Sequence, residues 1–142
     1  MRICKHKGIT IAILTRNEHC PPHVHAGTDH WDARFLFSFW HNGVRLWDVT
    51  PAKNEPCKAV LEQLRQIIKR RDNLRRAREY WWNSRKTLCL ENQRWDMNAC
   101  EVTSPKHSHR NTREILSGHF DATAYKTRLH LAGDTEPLEI EL

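Results

Sequence analysis

Ala33-Arg34-Phe35-Leu36-Phe37-Ser38-Phe39-Trp40, followed at once by His41-Asn42-Gly43 and Val44-Arg45-Leu46-Trp47-Asp48-Val49, decides the class of fold. Phe35, Phe37 and Phe39 share one face of an extended chain, and Leu36, Ser38 and Trp40 share the other. Asn-Gly between two such runs is the preferred two-residue type I′ turn, so a β-hairpin is expected here. Upstream, Ile9-Thr10-Ile11-Ala12-Ile13-Leu14 is short and β-branched, and His23-Val24-His25-Ala26 follows a polar turn over residues 15–22. These runs predict a four-stranded antiparallel meander within residues 1–50.

Downstream the period changes. Asn54 before Glu55-Pro56 predicts a helix N-cap. Cys57, Val60, Leu61, Leu64, Ile67 and Ile68 fall at helical spacing. Leu74, Ala77 and Trp81 resume the stripe after Arg71-Asp72-Asn73, which reads as a kink or a fresh N-cap. Such a helix is long enough to cover one face of the sheet. Residues 87–90 and 99–103 read as a loose hairpin, 104–111 as a polar linker, and 113–116, 124–131 and 138–142 as further strands. The expectation is an α+β protein. Its N-terminal meander packs on a long basic helix over residues 1–86, and a β-rich C-terminal extension over 87–142 packs on that core.

The composition narrows the function classes. No run of 18 apolar residues occurs among the 142, so no membrane partner is expected. The start of the chain lacks the apolar core of a secretory signal, which points to the cytoplasm. Five cysteines at irregular intervals, with no Cys-x-x-Cys pair, read as reduced thiols. Net charge is +6, and Lys/Arg outnumber Asp/Glu by 7 to 4 in residues 1–54 and by 11 to 7 in 55–104. An anionic partner is therefore expected on the first two thirds of the chain.

The densest chemistry is Glu18-His19-Cys20-Pro21-Pro22-His23-Val24-His25-Ala26. Two prolines restrict the backbone to extended or turn geometry, and either prolyl bond can be cis. His23 and His25 then project from one face of a strand, while His19 and Cys20 can fold back from the incoming loop. Imidazoles at this spacing suit a divalent transition metal held by His19, His23 and His25. The same three residues could instead act as catalytic acid and base. A plain structural role, with the rings capping turns or stacking on Trp31 or Trp40, also fits. His107-Ser108-His109 repeats the spacing but lies in the polar linker, where an ordinary loop is expected.

This segment resembles the signature of the family called domain of unknown function 4160: an acidic residue, His, any residue, Pro-Pro-His, a hydrophobic residue, His and a small residue. The resemblance covers roughly residues 1–85 and carries over to His19, Pro21, Pro22, His23 and His25, with Cys20 at the variable position. It implies a small prokaryotic protein, often encoded in gene pairs that look like toxin–antitoxin modules, and no defined activity.

Ten basic residues lie between Lys58 and Lys86, against Glu62, Asp72 and Glu79. Arg65, Lys69, Arg70, Arg71, Arg75, Arg76 and Arg78 could follow a phosphate backbone or match an acidic protein surface. Of the adjacent Trp81 and Trp82, one is expected in the core and the other, Trp82, at an interface or against a base, with burial against the C-terminal strands as the more ordinary alternative. Three function classes follow. The first is a toxin-like, histidine-based ribonuclease. The second is a non-catalytic binder, such as a phage inhibitor of a nucleic-acid-handling complex. The third is the antitoxin or regulatory partner of a gene pair.

Overall fold

The computed structural model describes residues 1–107 and 109–142, so the centre of the His107-Ser108-His109 repeat lies outside the described residues. The fold is α+β, with two compact units, Met1–Arg85 and Lys86–Leu142. In the first, β1 (Arg2–His6), β2 (Ile9–Ala12), β3 (His23–Gly27), β4 (Asp32–Leu36) and β5 (Arg45–Thr50) form one sheet in chain order. Each neighbouring pair is antiparallel, so the meander is present with one more strand than expected. The added strand is β1, where Arg2, Lys5 and His6 broke the apolar alternation.

The two-residue turn sits at Lys7-Gly8, not at Asn42-Gly43. His6 pairs with Ile9, and Lys7 and Gly8 take φ values of 48° and 81°, the left-handed pair that a type I′ hairpin needs. After β4 ends at Leu36, residues 37–44 form an irregular connection instead of a tight hairpin. The cause is tertiary. Phe37 and Phe39 are buried, and Arg78 donates to the carbonyls of Ser38 and His41 and to Asn42 Oδ1. Those bonds hold the segment open where a tight turn would close it.

The expected long helix is two: α1 (Lys58–Lys69) and α2 (Arg71–Arg85). Arg70 leaves the helical region at ψ 138°, and Asn73 Nδ2 donates to the Ile67 carbonyl at 2.8 Å, satisfying an acceptor that the break exposes. Asp72 in the first turn of α2 favours the new N-terminus. Cys57, not Asn54, occupies the N-cap of α1, and Asn54 instead donates to the His30 carbonyl. Of the periodic stripe, Leu61, Leu64, Ile67, Ile68, Leu74, Ala77 and Trp81 are buried, whereas Cys57 is exposed and Val60 half-buried; Ile11, Val24, Ala26, Ala33, Phe35 and Val49 are buried from the sheet. Each fully buried Leu, Ile, Val or Phe stabilises the core by about 1.5–3 kcal/mol.

The second unit is also one antiparallel sheet, in the order β10 (Leu138–Glu141), β9 (Lys126–Leu131), β8 (Thr112–Asp121), β6 (Arg94–Asp96) and β7 (Glu101–Thr103). Thr127, Leu129 and Leu131 are buried on alternate positions of β9, within the strand expected over 124–131. Residues 87–90 form no strand, and β7 pairs with β6. Among the described residues, no helix is long and apolar enough to cross a membrane.

Candidate functional site

Alternation along β3 builds the site. Val24 and Ala26 are fully buried on the core face, so His23 and His25 take the opposite face. Pairing with β4 sets Arg34 opposite His25 and Asp32 opposite Gly27, on that same face. The β4–β5 register slips between Arg34 and Phe35, and Trp47 is the extra residue. Such a bulge re-aims a side chain. Here the Trp47 ring comes to 5.4 Å from His23 and 6.5 Å from His19, and the Arg34 guanidinium lies 4.0 Å above it. Trp81 of α2 meets His23 from another side, at 5.6 Å.

Glu18 joins the two histidines. One carboxylate oxygen touches His23 Nε2, and the other lies 3.1 Å from His25 Nε2. Each imidazole uses its remaining nitrogen elsewhere: His23 Nδ1 donates to the Pro21 carbonyl at 2.8 Å, and His25 Nδ1 to Asp32 at 2.7 Å. The Cys20–Pro21 bond is cis. The rings are 5.1 Å apart. His23 is 1% exposed, and the Glu18 side chain is 9% exposed.

Burial divides the two histidines electrostatically. It pushes the pKa of His23 below the ordinary histidine value, against the opposing Pro21 hydrogen bond and Glu18 charge. His25 also loses solvation, but the hydrogen bond and charge of Asp32, with the Glu18 charge, outweigh that and raise its pKa.

Arg34 closes the rim with two bonds to Asp48. The Arg34 hydrogen bond, with burial opposing it, holds the Asp48 carboxyl below its ordinary value of 3.8. A depressed folded-state pKa gives stability that is fully present above the unfolded value and lost as pH falls through the folded one. Asp48→Asn should therefore flatten the fall in urea-unfolding stability below about pH 4 relative to the wild type. Superimposable acid limbs would show that the pair contributes nothing.

The structure sorts the residues singled out from sequence. His23 and His25 come together. His19 stays exposed at the rim, with its ring 6.2 Å from that of His23, and Glu18 turns inward in its place. Cys20 is disulfide-bonded, as is Cys89, which corrects the reading of five reduced thiols; Cys4, Cys57 and Cys100 are free.

Of the basic residues, Arg78 is fully buried and committed to backbone carbonyls, which removes it as a ligand contact. Trp82, at 9% exposure, is buried beside Trp81 instead of being left for stacking. Arg65 is engaged by Glu62, whose carboxyl it holds down to about 2, and Arg75 by Glu79. Lys69, Arg70, Arg71 and Arg76 are exposed. Arg70, Arg71 and Arg76 line a surface hollow of about 290 Å³ at the α1–α2 junction, with Asp72 and Asn73.

The residues missed from sequence are Glu18, Asp32, Arg34, Asp48 and Trp47. A carboxylate next to clustered histidines was a visible signal for Glu18. The others depend on strand register and a bulge. Compared with known proteins, the chain matches no family model, no curated protein and no solved structure.

Proposed function

We propose that the protein is a small toxin-type enzyme that cleaves nucleic acid, with its chemistry at Glu18, His23 and His25. The observation that carries this reading is the shared Glu18 carboxylate held between two imidazoles in a largely buried position. Gathering ionisable groups out of water is unfavourable, and apolar residues of similar volume would serve a purely structural role at least as well. Arrangements of this kind concentrate at functional sites.

The resemblance of residues 1–85 to a family found in toxin–antitoxin-like gene pairs supports the class. The exposed Arg70, Arg71 and Arg76 support an anionic substrate. Trp81, which touches His23, stands ten residues beyond Arg71 on the same helix, about 15 Å along its axis. Phosphate contacts at the junction would therefore hold the chain a few nucleotides from the reacting bond.

The test is cleavage of end-labelled RNA and DNA by purified protein across a salt series. Cleavage that weakens with salt is expected, and Arg70→Glu/Arg71→Glu should weaken binding and flatten the salt slope by about 2, one unit per lost phosphate contact. Complete absence of cleavage, with salt-dependent binding lost in the arginine variant, would favour the non-catalytic binder that the same exposed arginines could serve.

A further inference from the structure

The hydrogen-bond bookkeeping of the histidine pair leaves one position unfilled. The Pro21 carbonyl can only accept, so His23 Nδ1 carries the hydrogen. In the neutral imidazole, Nε2 then presents a lone pair, and what it faces is a Glu18 oxygen, which presents lone pairs of its own. His23 Nε2 is buried and makes no hydrogen bond. His25 is oriented the same way but is satisfied: Nδ1 donates to Asp32, and Nε2 is hydrogen-bonded to the other Glu18 oxygen at 3.1 Å. Both rings thus spend Nδ1 outward and aim Nε2 at the same carboxylate.

Acceptors converging on one point are stabilised by a cation. The ligand atoms of Glu18, His23 and His25 all lie within 4.8 Å of one another, and among the described residues this is the group able to hold a metal ion. Small side-chain rotations would bring them to the ~2.0–2.2 Å that imidazole and carboxylate ligands adopt on zinc. The partners of the outward nitrogens are those that metal-bound histidines require. A backbone carbonyl and a carboxylate fix each tautomer and strengthen each ligand.

We propose that Glu18, His23 and His25 bind one divalent transition metal ion of the zinc class through a carboxylate oxygen and two Nε2 atoms, with the Pro21 carbonyl and Asp32 as outer supports. Three protein ligands leave a coordination position open. In a hydrolytic centre that position holds the water that attacks the substrate. The open-site role rests on the proposed cleavage of nucleic acid, whereas binding of the ion rests on the geometry alone. His19, at the rim, contributes no ligand.

The experiment titrates untagged, chelator-treated full-length protein with Zn²⁺ by calorimetry, and with Co²⁺ by visible absorption. One equivalent should bind with a Kd of about 1 μM or tighter. The cobalt form should show the intensified bands of a low-coordinate nitrogen–oxygen site. Asp32→Asn should weaken binding about 10-fold, and Glu18→Gln and His25→Ala should weaken it further. His23 is buried and its removal threatens folding, so Asp32→Asn, whose side chain is 41% exposed, provides the variant that keeps its structure. Less than about 0.2 equivalents bound, or equal affinity in wild type, Glu18→Gln and His25→Ala, overturns the site; equal affinity would assign the ion to other surface histidines. Zinc bound at this site without nucleic-acid cleavage upholds the metal centre and refutes the enzyme. Cleavage that persists in chelator without zinc binding does the reverse.

Discussion

Arg78→Met is expected to cost about 2–4 kcal/mol of unfolding free energy, seen as a lower urea midpoint. The guanidinium of Arg78 is fully buried and donates to the Ser38 carbonyl at 2.9 Å, the His41 carbonyl at 2.7 Å and Asn42 Oδ1 at 3.0 Å. Hydrogen bonds from a charged donor contribute about 1.5–3 kcal/mol each, and a buried acceptor stripped of its donor loses a further desolvation term. Methionine replaces the apolar stem but none of the donors. Ser38 is buried, so its carbonyl gains little water in exchange, whereas the exposed His41 recovers part of the loss. Arg78→Lys should fall between the two, because one ammonium cannot span the positions that a fork reaches. A shift of less than about 0.5 kcal/mol for the methionine variant would show that the segment over residues 37–44 holds itself. The effect should reach the site as well. Phe37, at the start of that segment, lies 6.3 Å from Trp81, and Trp81 packs on His23.

His25→Ala should lower the rate of nucleic-acid cleavage by about 10²–10⁴-fold, the span typical of losing a group that handles protons or holds the nucleophile. His25 suits this test better than His23. It is partly exposed, and it faces two carboxylates, whereas the His23 ring is enclosed by Trp47 and Trp81. Stability should change by no more than about 1–2 kcal/mol, because the lost hydrogen bonds lie where water can partly replace them. A folded His25→Ala protein that cleaves as well as the wild type would remove the histidine site from the chemistry. Activity lost together with the fold would be resolved by Glu18→Gln, which keeps the shape of the clamp and alters its charge.

The two outcomes bear on different links between sequence and function. The Arg78 result measures what holds the connection after β4, and the His25 result measures what the face of β3 does. Basic charge links them only in the sequence. Among neighbouring arginines of one helical stretch, Arg78 is a buried anchor, Arg65 and Arg75 are engaged by glutamates, and Arg70, Arg71 and Arg76 remain on the surface. Charge density alone could not separate these roles, because each depends on which face the helix turns to the sheet.

Much was legible before any coordinates. Period-2 and period-3.6 patterning depends on local geometry, so Val24, Ala26, Leu64, Ile68 and Leu129 could be assigned to the core from spacing alone, and the α+β class followed. His23 and His25 on one strand face were legible for the same reason. What only the tertiary structure decided was set by residues far apart in the chain. Arg78 opened the expected hairpin at Asn42-Gly43 from a helix 36 residues away. Strand register brought Asp32 to His25, and a bulge swung Trp47 onto His23. The inward turn of Glu18, which displaced His19 from the centre of the site, depends on how a polar loop settles against a finished sheet. Local periodicity carries no information about which of two neighbouring side chains then faces inward.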